Sequence, residues 1–148
     1  MATVIIKANE EAKVRELIDD WANAARTSDI DRIMSHYAPD IVAFDAIAQL
    51  QFKGTDAYRK HWEACLSMCS GPMIFEVHDL HIAARDDLAF AHYLSRCGGT
   101  GPDGVQKVGW MRATVCCRNT NGRWLVAHEH FSAPFDMESS KALFDLEP

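Results

Sequence analysis

The sequence predicts an α+β domain. Three stretches with helical apolar spacing fall in the first half, four alternating strands fill the second, and no linker or composition shift divides them. Helices segregated from a run of antiparallel strands mark that class. The chain has 148 residues, one domain in length and too short for two independent cores. A domain of this size buries about 70% of the surface its unfolded chain exposes, so it holds a core unaided.

Val14, Leu17, Ile18, Trp21 and Ala25 repeat at the i, i+3, i+4, i+7 spacing of one helix face. Asn9 is placed to cap this helix, with Glu10 and Glu11 in a first turn whose dipole favours acids. Ser28 opens a short second helix with Asp31 at the capping-box position and Ile30, Ile33, Met34 and Tyr37 along its apolar side; Pro39 stops it. A strand over Ile41 to Asp45 follows, with another around Leu50 to Phe52. Gly54 and Thr55 start a third helix faced by Tyr58, Trp62, Cys65, Leu66 and Cys69, and Gly71-Pro72 ends it.

From Met73 the period changes from 3.6 to 2. Strands are expected at Met73 to Ala83, Leu88 to Cys97, Val105 to Arg118 and Trp124 to Pro134, joined by turn-rich segments at Arg85-Asp86-Asp87, Gly98 to Gly104 and Asn119 to Gly122. The core spans about 10–134; the tail, 135–148, is polar apart from Leu143-Phe144, so it either docks as a last helical turn or frays.

Lys and Arg number 15 against 21 Asp and Glu, a net charge of −6. That balance, with no basic run, argues against nucleic acid and anionic membranes and leaves small molecules and protein surfaces as partners. The apolar stretch Val4 to Ile6 is too short for a signal peptide or a membrane span. Five cysteines with no CxxC pair read as free thiols in a reducing compartment, with the cytoplasm as the default. GGTGPDG is a hairpin turn rather than a phosphate loop, and no serine-hydrolase elbow is present. The vicinal pair Cys116-Cys117 falls on opposite strand faces and receives no role.

The segments LIDDWANAARTSDIDRIMSHYAPDIVAFDA, FKG, and VGWMRATVCCRNTNGRWLVAHEHFSAP together resemble the nuclear-transport-factor-2-like superfamily over about Glu10 to Pro134. That group includes ketosteroid isomerases, SnoaL-like polyketide cyclases and the association domain of calcium/calmodulin-dependent protein kinase. The resemblance implies a cystatin-like cone: three N-terminal helices on a strongly curved, mostly antiparallel mixed sheet that encloses one pocket. It also implies a metal-free site, and dimers through the outer sheet face. Fold is what it specifies; relatives include enzymes, binding modules and assembly domains.

Asp45 ends the mostly apolar run IVAFDA, where a buried charge is costly without a purpose or a partner. Counted from Pro39-Asp40 to Gly54, it falls where the resemblance places a general-base aspartate, and a carboxylate beside an apolar pocket suits proton transfer. The blander reading is a strand cap or a pair with Arg112. The same counting puts Trp21 where isomerases carry an oxyanion tyrosine, and Thr114 near their protonated acid. Steroid isomerisation is therefore not implied.

Trp110, Arg112, Thr114 and Cys116 share one face of a strand. The resemblance makes that face concave, so that Arg112 lines the pocket beside Trp110 and Thr114; the alternative is an internal salt bridge. In Trp124 to Ser132, His128, His130 and Ser132 point one way and Ala127, Glu129 and Phe131 the other. The resemblance turns Glu129 and Phe131 inward and the histidines outward, an assignment that a single β-bulge would reverse. His128 and His130 could ligate a metal only with a third ligand such as His92 or Asp45, so no metal is expected. His92 is either a satisfied core residue or, facing Asp45 or Glu129, an acid–base partner. Trp21, Phe44, Tyr58 and Trp62 read as core that also forms the pocket wall.

These readings converge on a cofactor-free pocket protein for a small organic molecule: an isomerase, cyclase or hydratase with Asp45 as base, Arg112 stabilising negative charge, and His92 or Glu129 assisting. The alternative is a non-catalytic ligand-binding or assembly domain, down to a structural homodimer with a vestigial pocket. A homodimer through the outer sheet face is expected from Met111, Ala113, Val115, Leu125 and Phe131, which are spread over both faces.

Overall fold

A computed structural model describes all 148 residues. Three helices come first, α1 (Ala2–Arg26), α2 (Ile30–Ser35) and α3 (Thr55–Ser67), with two strands, β1 (Tyr37–Phe44) and β2 (Phe52–Lys53), between α2 and α3. The meander then runs through β3 (Ile74–Arg85), β4 (Leu88–Thr100), β5 (Gln106–Thr120) and β6 (Arg123–Ser132). One six-stranded sheet results, in the order β2-β1-β6-β5-β4-β3. Only β1 and β6 pair in parallel; every other neighbour is antiparallel.

Helix α1 begins at Ala2, seven residues before the expected cap at Asn9. Its early turns stay in solvent, and burial starts at Val14 and continues through Leu17, Ile18, Trp21, Ala22, Ala24 and Ala25. The cap of α2 is Asp29, whose carboxylate accepts the Arg32 N–H at 3.1 Å, rather than Ser28. Ser28 instead takes the left-handed turn between the helices, at φ 55°. Tyr37 is the first residue of β1 rather than the last of α2, so Pro39 lies inside a strand. Arg32 and His36 both reach back to Asp20 of α1, tying the first two helices together.

Curvature comes from bulges that let one strand outgrow its partner. An extra residue in β3 lies between His78 and His81, where Asp79 has φ 53°. Cys116 pairs with His128 and Cys117 with Val126, leaving Ala127 as the extra residue of β6. That bulge puts Trp124 and Val126 on the same face as Glu129 and Phe131, and all four are buried.

The inner face of the sheet is set with small residues, Ala43, Ala84, Ala89, Ala91 and Ala113 among them, and the helices bring large side chains down onto it. The tail is neither helical nor free. Phe135 bridges to Ala142, and the Trp110 N–H donates to the Phe144 carbonyl at 2.9 Å. Gly109 permits that docking, because a Cβ there would lie 2.7 Å from Phe144 Cβ.

Candidate functional site

The chemistry gathers around one carboxyl. Glu129, on β6 between Ala43 of β1 and Val115 of β5, is 2% exposed. Its Oε1 accepts the Tyr37 hydroxyl at 2.7 Å and the Tyr58 hydroxyl at 2.5 Å; neither bond uses Oε2. Tyr37 in turn accepts the Trp21 indole N–H at 2.8 Å. The helices and the first strand thus supply a relay, Trp21 to Tyr37 to Glu129, with Tyr58 as a second donor.

Burial pushes the Glu129 carboxyl up to about 7, with the nearby Asp45 charge adding to the rise and the two phenol hydrogen bonds opposing it. Tyr37, Tyr58 and Tyr93 are held well above the usual phenol range, first by burial and then by the Glu129 charge. These phenols serve as hydrogen-bond donors and not as bases.

Asp45 follows β1, and one of its oxygens accepts the Ile47 N–H at 3.0 Å, so it does cap a turn. Its other oxygen lies 3.3 Å from His61 Nε2. The partner is therefore His61 and not Arg112. His61 is 8% exposed, stacked on Phe52 at 4.2 Å and on Tyr58 at 6.0 Å. Tyr58, His61 and Trp62 lie three and four residues apart on the inner face of α3, a spacing that the sequence displays.

Asp45, Glu129, Trp21, Tyr58, Trp62 and Phe131 all face this interior. Trp21 packs against Trp62, Phe75 and Phe131 with ring centroids 5.7, 5.0 and 6.1 Å apart. Five expected site residues lie elsewhere. On β5 the inner positions are Ala113, Val115 and Cys117, which places Trp110, Arg112 and Thr114 on the outer face. Arg112 is exposed there and donates to Ser132 Oγ at 3.1 Å, so neither the pocket lining nor the internal salt bridge holds for it. His92 is likewise outward, paired with Thr114 and stacked on His81 at 5.1 Å. Phe44 leaves the wall as well and meets His128 and His130 edge-on at 4.7 and 5.5 Å. Strand alternation sets the face in each case, and it turns Ala43, Ala91 and Ala113 to the concave side.

The structure adds residues that sequence reasoning did not assign to the site: Tyr37, His61, Tyr93 and Ser95. Cys65, beside His61, is pushed up to about 11 by burial and the Asp45 charge, and Cys117 to about 12, so neither thiol is poised as a nucleophile. No cluster of three or more His, Cys, Asp or Glu has a metal-holding arrangement. Two surface grooves, of about 320 and 330 Å³, lie beside Lys13, His36 and Arg123 and beside Asp31, Ser35 and Arg59. Both are lined mainly by solvated charges, and neither touches Glu129, Asp45 or His61. No helix is long and apolar enough to cross a membrane.

Residues 14–136 match the family model described as the SnoaL-like domain. Nothing among curated proteins matches the chain. Among solved structures, an NTF2-like protein of unknown function from Pseudomonas putida KT2440 is 55% identical, with a TM-score of 0.88 over 95% of this chain and 98% of that one. A ketosteroid isomerase-like protein from Erwinia carotovora is 18% identical, with a TM-score of 0.71 over 82% and 94% of the two chains. A provisionally assigned dehydratase of the NTF2-like family from Streptomyces avermitilis is 14% identical, with a TM-score of 0.76 over 84% and 96%. The last two likenesses concern the fold alone, and further solved neighbours, from Nostoc punctiforme and Caulobacter vibrioides, are described as having a cystatin-like fold.

Proposed function

This chain belongs to the SnoaL-like family, and we propose that it is an acid–base enzyme needing no cofactor: an isomerase, cyclase or hydro-lyase acting on a small, mostly apolar carbonyl compound. One observation carries the reading. A fully buried carboxyl, held by two phenols among aromatic rings, shares its interior with a second carboxylate that is paired with a histidine near the surface. Burying a carboxyl is costly, and a single arginine partner would have removed the cost; this site uses phenols instead, which leave the carboxyl able to hold or release a proton near neutral pH.

The division of labour follows from position. Asp45 takes the proton from the carbon next to the carbonyl, and the electrons of that C–H bond move into the carbonyl to give an enolate. Protonated Glu129 then supplies its proton to that oxygen, or to a β-hydroxyl leaving as water. Donation in a water-poor site of this kind is worth about 3 kcal/mol of transition-state stabilisation. Relatives described as dehydratase and isomerase-like are compatible with both outcomes.

The test is solvent-deuterium incorporation, followed by proton NMR on a panel of cyclic enones and β-hydroxy ketones in D2O. The wild-type protein should exchange the α-proton of at least one compound, and Glu129→Gln and Asp45→Asn should not. Absence of exchange for every compound that binds would move the reading to the non-catalytic ligand-binding alternative.

As partner, a second copy on the outer sheet face is proposed. Of the residues first invoked for it, Ala113, Val115 and Phe131 are core and Met111 packs against it, which leaves Leu125. The outer face has its own apolar side chains, Leu88, Phe90 and Phe44, which are 61%, 53% and 37% exposed. Cover for such a patch is the usual reason for its existence. Sedimentation equilibrium should give twice 16.6 kDa at micromolar concentration, and Phe90→Glu should halve it. A monomer in the wild type would end this proposal and leave the enzymatic one standing.

A further inference from the structure

We propose that Trp62 Nε1, the Tyr93 hydroxyl and Ser95 Oγ form an oxygen-reading subsite beside Glu129, which selects neutral ligands bearing a hydroxyl or carbonyl and rejects anionic ones. The inference rests on the interior being a ligand site, as proposed above, and not on turnover.

None of the three buried atoms makes a well-formed hydrogen bond; the nearest polar neighbours are the Cys97 thiol for Ser95 and the Tyr37 hydroxyl for Trp62. Their residues are 6%, 3% and 0% exposed. Buried polar side chains elsewhere in this interior are satisfied: Trp21 by Tyr37, and Tyr37 and Tyr58 by Glu129. Leaving a buried donor unpaired is destabilising, so three together in one region call for a partner that the free protein lacks.

All three side chains belong to the buried interior that holds Glu129. Tyr93 and Ser95 are alternate residues on the inner face of β4. The Tyr93 phenol lies close enough to Glu129 to feel its charge. Trp62 comes from α3 on the opposite side, edge-on to Trp21 at 5.7 Å and to Tyr58 at 6.3 Å. An indole N–H can only donate, whereas the two hydroxyls donate or accept. A ligand oxygen satisfies all three requirements; a methyl group satisfies none.

Charge narrows the class further. The side-chain charges acting on Tyr37, Tyr58, Tyr93 and Glu129 come from carboxyls, a phenol and a thiol, with no lysine or arginine among them. Arg112, the cation expected here, faces outward. A carboxylate or phosphate would enter beside two carboxyls, with His61 already paired to Asp45 and no lysine or arginine to meet the added charge. The chemistry therefore fits a neutral oxygenated ring or chain lying against Trp21, Phe75 and Phe131.

The test has two parts, both on the full chain. In the free protein, Ser95→Ala and Tyr93→Phe should leave the melting temperature within about 1 °C of wild type or raise it, because each deletes an unpaired hydroxyl. A fall of several degrees in either variant would show that its hydroxyl is already partnered, and would overturn the proposal. Binding is then read with phenol, toluene and benzoate, three probes of similar size. Phenol should bind about tenfold more tightly than toluene, and benzoate more weakly than either, since a site built around hydrogen-bond donors rejects analogues lacking the oxygen. In Tyr93→Phe and Ser95→Ala the preference for phenol over toluene should drop to about twofold or less. Equal binding of phenol and toluene to wild type, or no binding of either, overturns the subsite. Glu129→Gln separates the two proposals. Phenol preference retained in that variant while the wild type shows no deuterium exchange removes the catalytic reading alone; exchange without phenol preference removes the subsite alone.

Discussion

Glu129→Gln is expected to be more stable than wild type at pH 8, by as much as about 3 kcal/mol, and to lose most of the pH dependence of stability between pH 4.5 and 7. The carboxyl rises from an ordinary 4.5 to about 7 because it is buried. Below pH 4.5 it is protonated in both the folded and the unfolded chain and costs nothing. As the pH climbs, the unfolded chain releases the proton while the folded one keeps it, so stability falls through this window. Above about 7 the folded protein ionises too, and the loss levels off. Gln preserves the volume and an oxygen for the Tyr37 and Tyr58 hydroxyls while removing the proton equilibrium. Melting temperatures of both proteins from pH 4.5 to 8.5 should diverge through the window and then run parallel. Curves parallel throughout would mean that Glu129 is not held above its ordinary range. Asp20 serves as an internal reference, since Arg32 and then His36 hold it down at about 2. Its contribution is lost as the pH falls, outside the range measured.

That this carboxyl would face inward was legible in the sequence, although its partners were not. The resemblance turned Glu129 and Phe131 to the concave side, and the bulge at Ala127 brings Trp124 and Val126 to the same side, where plain alternation separates them. Bulges follow from how two strands meet, which one strand's sequence does not record. The same limit explains Trp110, Arg112 and Thr114. Alternation grouped them correctly on one face, but which face is concave depends on what the helices deliver. Trp21, Tyr58 and Trp62 fill the space above the sheet, so β5 answers with Ala113 and Val115 and turns Trp110, Arg112 and Thr114 outward. On β5 the large side chains read as pocket wall, whereas the small ones mark it. Tyr37 was hidden by a boundary, since reading it as the end of α2 removed it from β1. His61 was within reach: it follows Tyr58 by three residues and precedes Trp62 by one, on a helix face already assigned to the core.

Asp45→Asn is expected to lower turnover about a thousandfold while leaving phenol affinity within about threefold of wild type, because a positioned base contributes to the reaction far more than to binding. The substitution is mild in structural terms. Asn retains an oxygen for the Ile47 N–H, 3.0 Å away, so the turn that follows β1 keeps its geometry. What disappears is the negative charge 3.3 Å from His61, and with it the group able to receive a proton. The side chain is 12% exposed, so Asp45 stands where the buried interior meets solvent and can return that proton to water. Glu129 is fully buried and lacks that route, which is why the base is assigned to Asp45 and the acid to Glu129. His61→Gln should cost less, because the imidazole orients Asp45 without touching the reacting carbon; its effect should fall on kcat rather than on KM or phenol affinity. Unchanged turnover in Asp45→Asn would end the assignment of the base. If neither wild type nor variant turns over any compound while both bind phenol with the same preference over toluene, the Asp45–His61 pair is a strand-end brace, and the interior is a receptor for a neutral oxygenated ligand.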